Sequence, residues 1–161
     1  MHQLNLIELA KFIVTATKEG GFASGKSGIK TADGGIGWYF NDGNYFYQDV
    51  SYGSTDFDGH IVVHGKIDPY WHMLYHGRDF DPVDKDVFND FLQLALRQII
   101  PERPFRGPEK FTHPNYGGYL YKNVNDGDIT KSKGHDSVWR HDIQQFELEY
   151  TAGIFSLKRN L

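Results

Sequence analysis

The sequence predicts an α+β fold made of two pseudo-repeats, in which one helix is followed by three or four antiparallel strands and the helices pack on the sheets. Two segments have the apolar spacing of amphipathic helices, and each is followed by short aromatic segments bounded by Gly, Asn and Asp. The chain has 161 residues, the size of one ordinary domain. We therefore expect one domain over residues 1–161, with repeat one at about 5–80 and repeat two at about 84–156.

Each predicted repeat begins with a helix. The first is predicted over residues 6–18, with Asn5 as its N-cap. The second is predicted over roughly 85–99, with Asp84 or Asp86 as its N-cap. Their apolar stripes match in order and consist of Leu9, Phe12, Ile13 and Ala16 in the first helix and of Phe88, Phe91, Leu92 and Ala95 in the second.

The strands of the two predicted repeats also match in order. Residues 44–50 align with residues 118–124. The next aligned strands carry alternating apolar residues, which are Trp71, Met73 and Tyr75 in repeat one and Phe146, Leu148 and Tyr150 in repeat two. Because these residues must face the core, His72 and His76 are expected on the outer face. A cleft between two like halves is a natural ligand site.

Two tyrosine-rich strand faces are the main candidate for that ligand site. Such faces can stack a planar ligand and hydrogen-bond its edges, whereas the alternative interpretation is ordinary packing against the helices. The two faces consist of Tyr45, Tyr47 and Asp49 in repeat one and of Tyr119, Tyr121 and Asn123 in repeat two.

Arg106 is a further candidate. It lies in the turn 103–108, where two prolines and a glycine fix its position, so that its guanidinium suits a carboxylate or a phosphate. The alternative is that it bonds backbone carbonyls and stabilises the turn. The predicted ligand-binding set is Tyr45, Tyr47, Asp49, Trp71, Tyr75, Arg106, Tyr119 and Tyr121.

The Gly-rich segment contains a motif that does not fit its predicted surroundings. Residues 20–27 match the P-loop pattern, but a P-loop follows a strand and opens a helix, whereas this segment follows a helix. Residues 20–37 as a whole are predicted to be a long, irregular and mobile connection. A looser anion-binding role for this segment is the alternative.

Histidines spaced four apart, His60 with His64 and His72 with His76, would share one metal ion on a helix. On a strand the members of each pair lie about 13 Å apart, so no metal site and no cofactor are predicted. The sequence has no nucleophile elbow or paired-carboxylate motif, and catalysis is not favoured. The first candidates for a small hydrolase acting on a phosphorylated substrate would be His60, His64, Asp49 and Arg106.

The composition limits the classes of function. The net charge of −4 argues against an electrostatic grip on nucleic-acid phosphates, which needs a clustered basic face. The sequence contains no cysteine, which rules out disulfides and thiolate metal sites. Its start lacks the charged and apolar regions of a signal peptide, and no apolar run is long enough to span a membrane. A cytoplasmic protein of a bacterium or phage is expected.

Several segments are similar to a known bacterial family. Besides the Gly-rich loop they are residues 43–49, 57–59, 69–77 and 104–108, and the most specific parts are Trp-x-Met-x-Tyr-x-Gly and Arg-Gly-Pro. On these segments the chain resembles the domain of unknown function 5680 family, and the resemblance covers roughly residues 7–155.

The resemblance implies a sensor or effector-binding role, because members of that family are often attached to a repressor-type helix-turn-helix domain. This chain has no helix-turn-helix and would be the stand-alone form. It also departs from the family pattern, since His60 and Ile61 stand where the family tends to have two acids. Any chemistry of those acids is therefore in doubt for this chain.

These observations favour a non-catalytic small-molecule-binding or sensor module with a regulatory role. It would hold a small aromatic or anionic ligand in a cleft between the two repeats and pass the signal to a partner. The alternative is a protein-interaction inhibitor or an immunity-type protein from a phage or mobile element, since small, acidic, cysteine-free domains often serve this way. A small hydrolase is the least favoured of the three.

Overall fold

The computed structural model describes residues 4–156, which form one antiparallel sheet of nine strands, two α-helices and a short 3₁₀ turn. Helix α1 spans Leu6–Glu19, the 3₁₀ turn spans Phe22–Ser24, and helix α2 spans Lys85–Leu96. The strands are β1 (Ile29–Lys30), β2 (Ile36–Asn41), β3 (Phe46–Gly53), β4 (Asp56–His64), β5 (Pro69–Asp79), β6 (Lys110–Phe111), β7 (Tyr119–Asp128), β8 (Lys131–Arg140) and β9 (Ile143–Ile154).

The predicted fold class, two repeats of a helix with its own strands, is wrong. The strand order β1-β2-β3-β4-β5-β9-β8-β7-β6 is continuous, because β5 pairs with β9 from Trp71↔Ile154 to Asp79↔Phe146. Side by side, these two strands satisfy backbone N–H and C=O groups that two separate sheets would leave unpaired at their edges. The result is one wide sheet with two helices rather than two helix-plus-sheet units.

The helix boundaries follow the predicted caps. The side chain of Asn5 accepts hydrogen bonds from the backbone N–H groups of Ile7 and Glu8 at 3.1 and 3.2 Å. Asp84 accepts from Val87 N–H at 3.1 Å, which confirms it rather than Asp86 as the N-cap of α2. Each cap satisfies backbone donors that the first helical turn leaves free. Helix α2 ends three residues before the predicted boundary.

Both helices pack on the same face of the sheet, which we call the inner face. Phe12 of α1 contacts Phe40 of β2, and Phe88 of α2 contacts Phe146 of β9. The register predicted for β5 is confirmed, because Trp71 and Met73 are buried on this face. His72, Leu74 and His76 lie on the opposite, outer face, as their alternation requires.

The Gly-rich segment is more regular than predicted. After α1 it forms the 3₁₀ turn, then strand β1 and the start of β2. Phe22 packs edge-on against Trp38 with ring centroids 5.9 Å apart, and Arg97 of α2 donates to the carbonyl of Ala23 at 2.7 Å. The segment follows a helix and contains only a three-residue turn, so the interpretation that it is not a P-loop is confirmed. Neither helix within residues 4–156 has the length and apolar character that a membrane crossing requires.

Candidate ligand-binding site

Asp49 is a buried carboxyl at the centre of the inner face. The alternation of β3 points Tyr47 and Asp49 toward the helices, and Asp49 is only 5% exposed. Tyr75 of β5 donates its hydroxyl to Asp49 Oδ1 at 2.7 Å. Burial raises the pKa of Asp49 to about 6, against the opposing effects of the Tyr75 hydroxyl, the Arg106 charge and the Tyr47 hydroxyl. The carboxyl therefore changes its charge close to neutral pH.

The tyrosines around Asp49 act as neutral hydrogen-bond donors. Burial is the main cause that raises the pKa of Tyr47, and the neighbouring Asp49 charge adds to it. The same two causes, in the same order, raise the pKa of Tyr75. Both hydroxyls thus keep their protons throughout the physiological pH range and hold the carboxyl in one orientation.

Arg106 enters the same region from the turn before β6. Its backbone is in the left-handed region, with φ of 62°, which is strained for a residue with a side chain. Its Nε donates to Asp136 Oδ2 at 2.7 Å, and the side chain of Asp136 is fully buried. Burial is the largest single effect and opposes the charge of Arg106, but the Asp136 carboxylate, together with Tyr121 and Tyr75, raises the pKa of the guanidinium above its usual value.

Asp136 is surrounded by donors on its other oxygen. Tyr121 donates to Asp136 Oδ1 at 2.8 Å, and the amide of Asn123 donates to the same atom at 2.6 Å. Asn123 also lies 3.2 Å from the hydroxyl of Tyr150. This carboxylate is therefore fully partnered by the protein, in contrast to Asp49.

The alternative role considered for Arg106, bonding the backbone of the turn, belongs to Arg103 instead. Arg103 donates to the carbonyl oxygens of Gly107 at 2.7 Å and Asn123 at 3.2 Å. The backbone N–H of Gly107 in turn donates to the Tyr121 hydroxyl at 3.0 Å. With the turn held by these bonds, the guanidinium of Arg106 is free to bind a carboxylate, and the structure supplies Asp136.

A partly open cavity of about 190 Å³ lies between α2, the 3₁₀ turn and the inner face of the sheet. Asp49, Ser51 and Arg106 contribute polar groups to its wall. Its aromatic lining consists of Phe22, Trp38, Phe57, Tyr75, Phe88 and Phe146. A smaller cavity of about 30 Å³ under α1 shares Asp49 and Arg106 with it, so these two side chains stand where both cavities meet.

An ion pair lies at the edge of the larger cavity. Asp79 at the end of β5 is buried, and its Oδ2 lies 3.2 Å from Nζ of Lys85, whose side chain is 60% exposed. The other oxygen of Asp79 accepts from the backbone N–H of Asp81 at 2.7 Å. The charge of Asp79 is thus compensated within the protein.

The structure brings together five of the eight predicted site residues: Tyr47, Asp49, Tyr75, Arg106 and Tyr121. The other three are used in packing. Tyr45 contacts Phe12, with ring centroids 5.1 Å apart, and Tyr119 contacts Phe91 at the same distance. Trp71 donates its indole N–H to the carbonyl of Ile129 at 3.1 Å and reaches only the smaller cavity.

Sequence reasoning missed Asp136 and the aromatic walls. A signal for Asp136 exists, because it lies two residues before Val138 and therefore on the apolar face of its strand, where an acid needs a partner. Phe22 and Trp38 lie in or beside a segment predicted to be irregular, and nothing in their spacing connects them to Asp49. Ile61, one of the two residues that depart from the family pattern, is the strand neighbour of Asp49.

The histidines lie away from this site. His60 and His64 are on the outer face of β4, so the sheet separates them from Asp49 and Arg106, which were grouped with them as hydrolase candidates. His76 Nδ1 is 2.5 Å from Asp58 Oδ1, and both side chains are exposed. In the described part of the chain, no group of three or more His, Asp or Glu side chains is arranged to hold a metal ion.

Comparison with known proteins identifies a family. The model of a family described as a domain of unknown function (DUF5680) matches residues 49–155, which is most of the chain. The matched range includes Asp49, Tyr75, Arg106 and Asp136, whereas Phe22 and Trp38 lie before it. No curated protein and no solved structure matches the chain.

Proposed function

This chain belongs to the DUF5680 family, and we propose that it is a non-catalytic small-molecule-binding module with a regulatory or sensor role. The observation that carries the proposal is the cavity of about 190 Å³ with the buried carboxyl of Asp49 in its wall. Among residues 4–156, no Lys, Arg or His makes an ion pair with Asp49. A desolvated carboxyl that faces an aromatic cavity is the kind of convergent polar group that orients ligands.

The size of the cavity supports a small ligand. Pockets for drug-sized molecules usually measure about 300–1,000 Å³, and this cavity is smaller. Its polar groups are held in place from behind, since Tyr75 fixes Asp49 and Asp136 fixes Arg106. Such preorganised groups lose little conformational entropy when a ligand binds. The family resemblance to domains attached to repressors supports a regulatory use of that binding.

A thermal-shift screen with metabolites tests the proposal, followed by the crystal structure of the best complex. We expect at least one compound to raise the melting temperature in a concentration-dependent manner and to occupy the cavity. Asn89 of α2 lines the cavity, whereas its neighbour Asp90 is exposed. N89W should therefore abolish the shift and D90W should keep it. Binding that N89W leaves intact, or a complex with the ligand elsewhere, would contradict the proposal.

A second candidate function, protein interaction, is supported by the outer face. A groove of about 600 Å³ runs over the outer face of the central strands. Leu74 is 54% exposed and Val124 is 71% exposed there, beside the charged side chains of Lys133 and Glu149. Exposed apolar residues rimmed by charges are typical of protein-binding surfaces.

Affinity capture from host extract separates this candidate from the first. We expect L74D to lose a stoichiometric protein partner if the groove binds one. Ile67, which is 87% exposed in the turn between β4 and β5, offers a control, and I67D should keep the partner. Equal capture by both variants would argue against the groove as an interface.

A further inference from the structure

The two central polar groups of the cavity have opposite hydrogen-bonding characters. Asp49, when ionised, only accepts hydrogen bonds, and Arg106 only donates them. Their mutual distance is too long for an ion pair, although the Arg106 charge still lowers the pKa of Asp49. A ligand between them must therefore offer a donor on one side and an acceptor on the other.

The charges around the cavity are mostly compensated before any ligand binds. Asp136 neutralises Arg106 at 2.7 Å, and Lys85 neutralises Asp79 at 3.2 Å. A phosphate or carboxylate ligand would meet no uncompensated cation here, and it would come close to the carboxyl of Asp49. This arrangement disfavours the anionic ligand that the sequence suggested as one alternative.

Aromatic rings flank the polar pair on both sides along the sheet. Trp38 of β2 packs with Phe22 on one side of β3 to β5. Phe146 of β9 lies on the other side, where it stacks on Phe57 of β4 with ring centroids 6.0 Å apart and packs against Phe88 of α2. Rings on two sides suit a flat π-system, which can stack on some of them and meet the edges of others.

We infer that the ligand is a planar nitrogen heterocycle of the lactam or ureide class, as in nucleobase-like rings, which presents a ring N–H to Asp49 and a carbonyl oxygen to Arg106. The inference rests on the proposed binding function and adds the chemical class of the ligand. It accounts for the donor and the acceptor in the wall, the flat aromatic surroundings and the volume of about 190 Å³, which admits one or two fused rings.

The protonation of Asp49 should make the affinity for such a ligand depend on pH. The facing groups are Tyr47 on its own strand, Tyr75 on β5 and Arg106 from the turn, and all three favour the ionised form. Only that form accepts the ring N–H with both oxygens free of protons. Affinity should therefore fall as the pH is lowered below about 6, the value to which burial raises the pKa of Asp49.

Isothermal titration with matched ligands tests the class directly on the wild-type protein. Uracil serves as the lactam probe, and its N,N′-dimethyl derivative keeps the ring and the carbonyls but loses both N–H donors. Choline serves as a cationic probe and benzoate as an anionic one. We expect a lactam to bind and its dimethyl derivative to bind at least about tenfold more weakly, since the acceptor of Asp49 would be left unpaired.

Two variants locate the donor contact. D49L should weaken lactam binding about tenfold or more, whereas D126N, which changes an exposed acid on β7, should leave it unchanged. Circular dichroism of D49L establishes whether the fold is kept, and the wild-type ligand series decides the question even if it is not. Retained lactam affinity in a folded D49L protein would overturn the inference.

The outcomes separate this inference from the proposed function. Binding of a lactam with loss on methylation supports both. Binding of choline or benzoate alone, or equal affinity for the methylated and unmethylated rings, overturns the ligand class and leaves a small-molecule-binding module standing. If the cavity binds no metabolite of any class, both proposals fail.

Discussion

Two polar clusters face the helices from the two halves of the sheet, and they differ in how their acid is compensated. The first cluster consists of Tyr47, Asp49 and Tyr75, and the second of Tyr121, Asn123, Asp136 and Tyr150. Tyr75 and Tyr150 are direct neighbours across the β5–β9 pair. The Tyr75 hydroxyl donates to Asp49 of β3 at 2.7 Å, and the Tyr150 hydroxyl accepts from the amide of Asn123 of β7 at 3.2 Å.

The difference follows from one residue on the neighbouring strand. Ile61 of β4 pairs with Asp49, whereas Asp136 of β8 pairs with Asn123. In the second cluster the charge is on β8, and Arg106 completes it with an ion pair. In the first cluster the charge is on β3, and it faces the cavity. The second cluster thus has its charge paired within the fold, whereas the carboxyl of the first lines the cavity and makes no ion pair within residues 4–156.

The largest expected effect is the loss of the ion pair in the second cluster. D136N leaves Arg106 buried without a carboxylate, and we expect it to lower the free energy of unfolding by about 3–5 kcal/mol. The matched change D49N should cost less than about 1 kcal/mol at pH 7, because the amide oxygen still accepts from Tyr75. Urea unfolding measures both. Equal losses would mean that the clusters have the same role.

The stability of the protein should depend on pH through Asp49. Burial raises the pKa of Asp49 to about 6, so the native state binds more protons than the unfolded state between about pH 4 and 6. Its contribution to stability is therefore complete at low pH and is lost as the pH rises through this window, by a total of about 2–3 kcal/mol. D49N should lack this slope, and D126N, at an exposed acid, should keep it. Parallel stability curves for the wild type and D49N would disprove the prediction.

Gly59 lies beneath the ring of Tyr75, and Gly134 lies beneath the ring of Tyr150. A Cβ at Gly134 would lie 2.3 Å from the Tyr150 ring and 2.6 Å from the backbone oxygen of Val124. A Cβ at Gly59 would lie 2.2 Å from the Tyr75 ring, and its three nearest atoms all belong to that side chain. G134A should therefore cost about 1–3 kcal/mol, and G59A should cost less because Tyr75 borders the cavity and can move. Melting temperatures give the order, and a larger loss for G59A would contradict it.

The smallest expected effect on stability is the loss of one tyrosine hydroxyl, Tyr75 or Tyr150. Y75F and Y150F should each cost about 1 kcal/mol of stability through a lost hydrogen bond. Only Y75F should raise the pKa of Asp49 further, because the Tyr75 hydroxyl lowers it in the wild type. Carboxyl carbon chemical shifts followed through a pH titration report this pKa. An equal shift in Y150F would show that the clusters are coupled electrostatically.

Local features of the fold could be predicted from the sequence. The side chains of Asn5 and Asp84 cap backbone N–H groups that lie no more than three residues further along the chain. The alternation of β5 shows which of its side chains are buried. These features depend on neighbours along the chain. The pairing of β5 with β9 depends instead on residues far apart in the chain, and other strands with suitable faces could have paired with β5. Two similar halves therefore suggested two units where the chain forms one sheet.

The candidate site shows the same limit. Asp49, Tyr75 and Arg106 could be selected because buried polar residues in strands and rigid turns are unusual. The partner of Arg106 could not, because Asp136 lies thirty residues further along the chain. Phe22 reaches the cavity only because the Gly-rich segment folds back over the sheet, a path that its composition does not specify.

The two edges of this wide sheet are formed by unusually short strands. A sheet of nine strands would offer long rows of free backbone groups to any passing chain, but its outermost strands, β1 and β6, are two residues long. Each contains a lysine, Lys30 in β1 and Lys110 in β6. Short, charged outer strands are a poor template for further strand addition. Such edges disfavour edge-to-edge association of this wide sheet with other chains.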